Sequence, residues 1–106
     1  MRSVVYSITF NDQLNELLDM GEAKFGTRVV DAKKDLVYST IRNILANNPA
    51  IKQPDPSLGL VVYPIHRTPF FILYDFDDTT LRVHFIFLKG KPLEAIDPAA
   101  VDWQST

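Results

Sequence analysis

The sequence predicts an α+β fold in the order β-α-α-β-β-β, in which a helix hairpin packs on one face of a largely antiparallel four-stranded sheet. Three observations predict it. Apolar and polar residues alternate at the start of the chain, apolar residues recur at helical spacing over residues 12–48, and three short, strongly apolar stretches follow residue 59. The proline-containing segment 49–59 joins the two halves as a surface loop.

The first strand is predicted over residues 3–10 from the alternation of its side chains. Asn11 and Asp12 favour a helix start, because short polar side chains can accept hydrogen bonds from free backbone N–H groups. Gly26 is expected to end this helix, and Thr27 to cap the next one. Since almost nothing separates the two helices, they should form an antiparallel hairpin.

The last three strands are predicted over residues 60–66, 69–76 and 80–88. A four-residue turn between the last two would set Asp75 opposite Arg82 as an opposite-charge pair. Strand alternation then gives each strand two faces. The predicted helix-facing residues are Phe70, Ile72, Tyr74, Phe76, Leu81, Val83, Phe85 and Phe87. The predicted second face holds Phe71, Leu73, Asp75, Arg82, His84, Ile86 and Leu88, with only the tail left to cover it.

Length and composition indicate one globular domain over residues 1–106, with a core of about 3–91 and a C-terminal tail of 92–106. The chain has no cysteine, which excludes disulfides and thiolate metal sites. No apolar run is long enough to span a membrane, and no signal peptide is evident, so a cytoplasmic location is expected.

No cofactor motif is present, and no metal site is expected. Asp75, Asp77 and Asp78 lie together at one hairpin tip, where a turn that favours aspartate explains them more simply than a metal does. Lys33, Lys34 and Arg42 could contact nucleic acid, but a solvated helix face is the commoner origin of such a cluster. Trp103 either anchors the tail or contacts a partner.

Several stretches resemble a known family when taken in this element order. They are YSITF (6–10) before an acidic first helix, VYPIHR (62–67) followed by FFILYD (70–75), and DDTTLRV (77–83) leading into LKGK (88–91). Over roughly residues 3–95 the chain resembles the RelE/ParE family, the toxins of type II toxin–antitoxin modules, often described as plasmid stabilisation proteins. The resemblance implies a cognate antitoxin that wraps over the sheet and the helix hairpin.

The family divides by target: RelE-like members cleave messenger RNA in the ribosome, and ParE-like members poison DNA gyrase. RelE-like enzymes typically carry an arginine in the third strand, where this chain has Phe71 or Ile72, and a late tyrosine or histidine, which residues 92–106 lack. These departures favour the ParE-like branch. The chain is then expected to inhibit growth by binding a protein target such as DNA gyrase, without catalysis.

The runner-up is a RelE-like ribosome-dependent mRNA endoribonuclease. RNA cleavage needs a base, an acid and cations that stabilise the transition state. The candidates for such a site are His66, Arg67, His84, Lys89 and Lys91. A simpler interpretation makes His84 part of a half-exposed polar strip and lets the lysines guard a strand end against edge pairing. A third hypothesis is a degenerate, non-toxic module that only binds its antitoxin.

The second sheet face provides the expected antitoxin surface, because exposed apolar patches commonly mark partner sites. The expected contact residues are Phe71, Leu73, Arg82, Ile86 and Leu88. A disordered antitoxin could add a strand or lay a helix there. Whether the chain forms a dimer, or a heterotetramer with the antitoxin, is left open by the sequence.

Overall fold

The strands of the sheet lie in the order β1-β4-β3-β2, with β1 parallel to β4 and the other pairs antiparallel. The computed structural model describes residues 1–104, so that part of the expected 92–106 tail lies outside the described residues. The elements are β1 (Ser3–Tyr6), α1 (Ile8–Phe25), α2 (Thr27–Thr40), β2 (Val61–Pro64), β3 (Phe70–Phe76) and β4 (Thr80–Leu88). Shorter helical turns span Ile41–Leu45, Pro49–Ile51 and Leu93–Ala95. The predicted α+β class and element order are confirmed.

The first helix begins earlier than the sequence predicts. The side chain of Ser7 accepts a hydrogen bond from Phe10 N–H at 2.8 Å and caps α1, so the strand stops at Tyr6. Ser7 is fully buried, and its hydroxyl also donates to the carbonyl of His84 at 2.6 Å. This second bond depends on β4, which is why alternation near the N-terminus could not reveal the helix start.

Gly26 separates the two helices as predicted, with φ of 84°, a value that favours glycine. Thr27 does not cap α2 through its side chain, contrary to expectation. Its hydroxyl instead donates to Glu22 Oε1 at 3.2 Å, across the junction of the helices. The second helix ends in a π-helical turn, closed by a bond from Ala46 N–H to Ile41 O at 2.9 Å.

The β3–β4 hairpin has the predicted register at its tip. Asp75 pairs with Arg82, and Nε of Arg82 lies 2.7 Å from Oδ1 of Asp75. Further along, Tyr74 pairs with Val83 but Leu73 pairs with Phe85, so β4 contains one extra residue. This bulge reverses which face each later side chain of β4 occupies.

The bulge corrects the predicted faces of the sheet. Ile86 packs in the core between sheet and helices, whereas Phe85 and Phe87 lie on the opposite side. The buried residues on the helix side are Phe10, Leu14, Val37, Ile41, Leu45, Val61, Ile65, Phe70, Ile72, Tyr74, Leu81, Val83 and Ile86. The buried residues on the opposite side are Leu60, Phe71, Leu73, Phe85 and Ile96.

The C-terminal segment covers the second face of the sheet, which the sequence pattern predicted to be largely open. Ile96 is buried there, and Leu93 and Val101 pack against the same cluster. Two hydrogen bonds attach the segment to the start of α1: Ile8 N–H donates to Asp102 O, and Asp102 N–H donates to Thr9 Oγ1, both at 2.8 Å. The tail is therefore part of the core.

Candidate partner-binding and catalytic sites

Lys89 at the end of β4 is held by the loop between β2 and β3. Its backbone N–H donates to the carbonyl of Pro69 at 2.7 Å, and its Nζ donates to the carbonyl of Ile65 at 3.2 Å. The side chain of Lys89 thus has a structural contact that joins two strand ends. Lys89 is nevertheless exposed, so its charge remains accessible.

The turn that follows Lys89 brings Lys91 back over the sheet. Gly90 has φ of 101°, and Lys91 N–H donates to the carbonyl of Leu88 at 3.1 Å. Nζ of Lys91 lies 5.3 Å from the ring centre of Phe87, within the range of a cation–π contact. The aromatic ring therefore orients this second lysine.

The candidate residues His66 and Arg67 lie in the β2–β3 loop and are exposed. Arg67 has φ of 65°, and its carbonyl accepts a hydrogen bond from Nζ of Lys33 at 2.6 Å. Because Lys89 contacts Ile65 in the same loop, His66, Arg67 and Lys89 share one end of the sheet. The structure brings these three candidates into one neighbourhood.

His84 lies away from that neighbourhood. Lys89 is five residues further along the chain, roughly 15 Å at the usual rise of a strand. The His84 ring packs edge-on against Trp103, with ring centres 4.8 Å apart, and its Nε2 lies 3.3 Å from Oδ2 of Asp75. That approach lacks hydrogen-bond geometry, and within residues 1–104 neither ring nitrogen has a hydrogen-bond partner. Asp75 is held more firmly by Arg82.

Trp103 therefore anchors the tail, one of the two roles that the sequence left open for it. The side chain of His84 is 12% exposed, so this imidazole is part of the packing beneath the tail. Both ring nitrogens are buried, so neither is positioned to take a proton from a substrate at the surface. Its placement agrees poorly with a shared catalytic site at the Lys89 end.

The expected antitoxin residues are divided by the bulge and the tail. Leu73 and Ile86 are 0% and 1% exposed, on opposite sides of the sheet, and Phe71 is 6% exposed. The prediction that these three residues form an exposed apolar face is thus wrong, because the tail or the helices cover them. Leu88 is 44% exposed, and the side chain of Arg82 is 41% exposed. These two remain accessible to a partner.

Leu88 belongs to a surface groove between the sheet and the helix hairpin. Two adjoining cavities of about 160 and 600 Å³ form it, and they share Leu17, Met20 and Leu88. Further lining residues are Gln13, Glu16, Leu18, Gly21, Lys24, Phe25, Val29, Val30, Lys33, Pro69, Phe70, Ile86, Phe87, Lys89, Gly90 and Lys91. Met20 is 50% exposed and Phe25 67% exposed. The groove has apolar walls and four lysines against a single carboxylate, that of Glu16.

One wall of the groove is an open strand edge. β1 pairs only with Thr80–Val83, so within the described chain the rest of β4 has no neighbouring strand on that side. Ile86 N–H is directed to this edge and donates to Oε1 of Gln13 at 2.9 Å. An extended peptide that displaces the Gln13 side chain from this N–H could pair with the edge while its side chains enter the groove.

No model of a known protein family matches the sequence, and no curated protein matches it. A chain of a solved structure described as the chromosomal ParDE TA system from P. aeruginosa is similar in three dimensions, with a TM-score of 0.71 and 14% sequence identity. The match covers 83% of this chain and 96% of that chain. This chain has a RelE/ParE-like fold. At this identity, the likeness concerns the fold alone.

The sequence pattern did not predict the groove. Its walls come from α1, α2 and the end of β4, and only the packing of the helices on the sheet brings them together. The exposed Met20 and Phe25 were a usable signal, because large apolar side chains near the end of an amphipathic helix can extend beyond the core. Within the described residues, no cluster of potential metal ligands and no helix able to cross a bilayer occurs.

Proposed function

We propose that this chain is the toxin of a type II toxin–antitoxin module and acts as a ParE-like toxin in the cytoplasm. In this proposal it inhibits growth by binding a protein target such as DNA gyrase, and a cognate antitoxin neutralises it. The observation that carries the proposal is the shared fold with a chain of a ParDE system over 83% of this chain and 96% of that one.

The candidate catalytic side chains lie apart from one another, which supports a toxin that acts by binding its target and not by catalysis. His84 lies in the middle of β4 and packs beneath Trp103, while Lys89 directly follows the end of β4 and is bonded to the Ile65 carbonyl. General acid–base catalysis requires such groups within hydrogen-bond reach of one reacting centre. The tail also occupies the sheet face on which His84 lies, which leaves little room there for an RNA strand.

Pulse-labelling of newly made DNA and protein, minutes after the chain is expressed alone in bacteria, tests the proposed target. We expect DNA synthesis to fall first, while protein synthesis continues. Purified chain should also inhibit supercoiling by purified gyrase. An early collapse of protein synthesis would contradict the proposal, and normal growth with both syntheses intact would indicate the non-toxic, antitoxin-binding module.

A RelE-like endoribonuclease is the second candidate, favoured by the neighbourhood of His66, Arg67 and Lys89. If the chain cuts messenger RNA, the double change Lys89→Ala with Lys91→Ala should abolish cleavage detected by primer extension. Lys34→Ala with Lys52→Ala is the matched control, since both lysines are exposed and lie outside the groove. Equal cleavage by both double variants would exclude the strand-end lysines from the reaction.

We further propose that the antitoxin binds the groove beside Leu88, and not the covered part of the second sheet face. The lysines of the groove would attract an acidic segment, and the apolar walls would accept its hydrophobic side chains. Such a segment could fold on binding and pair with the open edge of β4. Arg82 stays a candidate contact outside the groove, as an accessible charge on the second face.

Leu88→Asp tests this placement, with Ile51→Asp as its control because the two side chains are 44% and 43% exposed. The antitoxin would first be selected from the same genome as a gene that restores growth. Calorimetry should then give at least about tenfold weaker binding for Leu88→Asp, or ~1.4 kcal/mol, and unchanged binding for Ile51→Asp. Equal affinities would move the antitoxin site elsewhere. Leu73→Asp and Ile86→Asp are unsuitable, since both change buried residues.

A further inference from the structure

A second cavity, separate from the groove, lies between β1 and the end of the helix hairpin. It has a volume of about 530 Å³. Its lining residues are Met1, Arg2, Val4, Tyr6, Tyr38, Arg42, Asn43 and Ala46. Two arginines and two tyrosines line this cavity, and no aspartate or glutamate is among its described lining residues.

The two arginines are positioned by aromatic rings. The guanidinium carbon of Arg42 lies 5.6 Å from the ring centre of Tyr38, and that of Arg2 lies 5.5 Å from the ring centre of Phe76. Nε of Arg2 donates to the carbonyl of Asp77 at 2.6 Å. Within residues 1–104, neither guanidinium has a carboxylate within 4.0 Å. Both positive charges are therefore available to a ligand.

Tyr6 supplies a hydroxyl group that has no hydrogen-bond partner within residues 1–104. This oxygen is buried and makes no hydrogen bond within the described residues. Burial raises the pKa of Tyr6 to about 12, although the charge of Arg42 acts in the opposite direction. The hydroxyl is thus protonated at neutral pH and can donate. A buried, unpaired hydroxyl is costly, which makes a ligand partner favourable.

The π-helical turn Ile41–Leu45 carries two of the lining residues, Arg42 and Asn43. Helix C-termini normally disfavour anions, because their free carbonyls are electronegative. Here the carbonyl of Asn43 accepts from Nδ2 of Asn47 at 3.0 Å, and that of Ala46 accepts from Arg2 N–H at 3.2 Å. These bonds reduce the negative potential next to the arginines. Turns of this type occur often at functional sites.

We propose that this cavity binds a phosphate group, either free inorganic phosphate or the phosphate of a small monoester, between Arg2, Arg42 and the Tyr6 hydroxyl. Guanidinium groups match phosphate oxygens in geometry and charge. Arg2 and Tyr6 come from the start of the chain and Arg42 from the turn after α2, so separate elements supply the donors. The site is independent of the proposed toxin activity, and of the groove assigned to the antitoxin.

Titration of the ¹⁵N-labelled full chain with inorganic phosphate, at constant ionic strength, tests the site by NMR. We expect saturable shifts at the Arg42 side-chain Nε–H and at backbone amides around residues 2–6 and 38–46, with a dissociation constant of about 1 mM. A parallel titration with AMP separates the two sources. Tighter saturation by AMP assigns a monoester, and equal or weaker binding assigns the free ion.

Three variants complete the test. Arg42→Gln should weaken phosphate binding at least about tenfold, or ~1.4 kcal/mol. Tyr6→Phe removes only the unpaired hydroxyl and should weaken binding without lowering stability. Arg28→Gln is the control, since this exposed arginine lies at the start of α2, roughly 21 Å from Arg42 along the helix.

Shifts that never saturate in either titration, or equal affinities for Arg42→Gln and Arg28→Gln, would overturn the proposal. Unchanged binding by a folded Tyr6→Phe variant would likewise remove the hydroxyl from the site. Each variant is checked first by circular dichroism and thermal melting. Both substituted arginines are exposed, so folded protein is expected.

Discussion

The two faces of the sheet are covered in different ways. The helix hairpin and the turn after it cover one face and bury long apolar side chains from both layers, including Phe10, Leu14 and Ile72. A short, mostly irregular segment covers the other face, anchored by Ile96 and Trp103. The helix-covered face therefore holds the larger core. The tail-covered face depends on a few contacts near the end of the chain, so it is expected to open at lower free energy.

This difference also locates the accessible surface. The sequence predicted a partner site on the second face, because only the tail was left to cover that face. In the structure the tail covers it. Three exposed apolar residues, Met20, Phe25 and Leu88, lie together instead at the rim of the helix-covered side. A partner can therefore reach the groove without displacing the tail.

The largest expected effect is on the helix-covered face. Ile72→Ala removes a fully buried side chain from the middle of the sheet and should lower the free energy of unfolding by about 2–5 kcal/mol. Urea denaturation measures this loss. Ile51→Ala, at a 43% exposed position, should change stability by less than about 0.5 kcal/mol. A similar, small loss for both variants would show that the helix side is loosely packed.

A smaller loss is expected beneath the tail. Ile96→Ala should cost about 2 kcal/mol or less, because a peripheral segment can relax into the space that is created. Hydrogen exchange should quicken at the amides of Ile8 and Asp102, which join the tail to α1, while exchange in β3 stays slow. If Ile96→Ala accelerated exchange in β3 to the same extent, the two faces would open as one cooperative unit. The proposed difference in stability between the faces would then be wrong.

High pH should lower the stability of the helix-covered side, where Tyr74 is buried and donates to the carbonyl of Pro49 at 2.7 Å. Burial raises the pKa of Tyr74 to about 12 from an ordinary value of 10.0. The folded state binds this proton more tightly than the unfolded state, so its contribution is complete below pH 10 and is lost as pH rises towards 12.

Unfolding measured between pH 8 and 12 checks this dependence. Tyr74→Phe should cost about 1 kcal/mol at neutral pH, through the lost hydrogen bond, and should reduce the alkaline loss of stability. Tyr63→Phe is a comparison at a less buried tyrosine on β2. If both variants showed the same alkaline slope as the unmodified protein, burial of Tyr74 would not cause it.

The smallest expected effect is at the hairpin tip on the tail-covered side. Arg82→Gln breaks the ion pair with Asp75, but the two side chains are 41% and 34% exposed. Solvent screens such pairs, so the loss should be below about 1 kcal/mol and should shrink further in high salt. Thermal melting at two salt concentrations measures it. A loss that is independent of salt would indicate packing of the arginine stem instead of charge.

Local patterns predicted much of the fold because their causes are local. The break at Gly26 follows from the backbone freedom of glycine, and the pairing of Asp75 with Arg82 follows from the length of the turn between them. The element order also followed from periodicity alone. The candidate site was predicted less well: Lys89 is accessible at the strand end, whereas Leu73 and Ile86 are buried.

The sequence by itself determined the order of helices and strands, the pairing at the tip of the last hairpin and the basic end of β4, since each depends on neighbours in the chain. Tertiary structure alone decided the capping of α1 by Ser7, the docking of Trp103 and the bulge in β4, where His84 is the extra residue between Val83 and Phe85. These features depend on one another through the bond from Ser7 to the His84 carbonyl and the contact of His84 with Trp103. Contacts between residues so distant in the chain leave no periodic pattern, because their free energy arises only when the sheet, the helix and the tail meet.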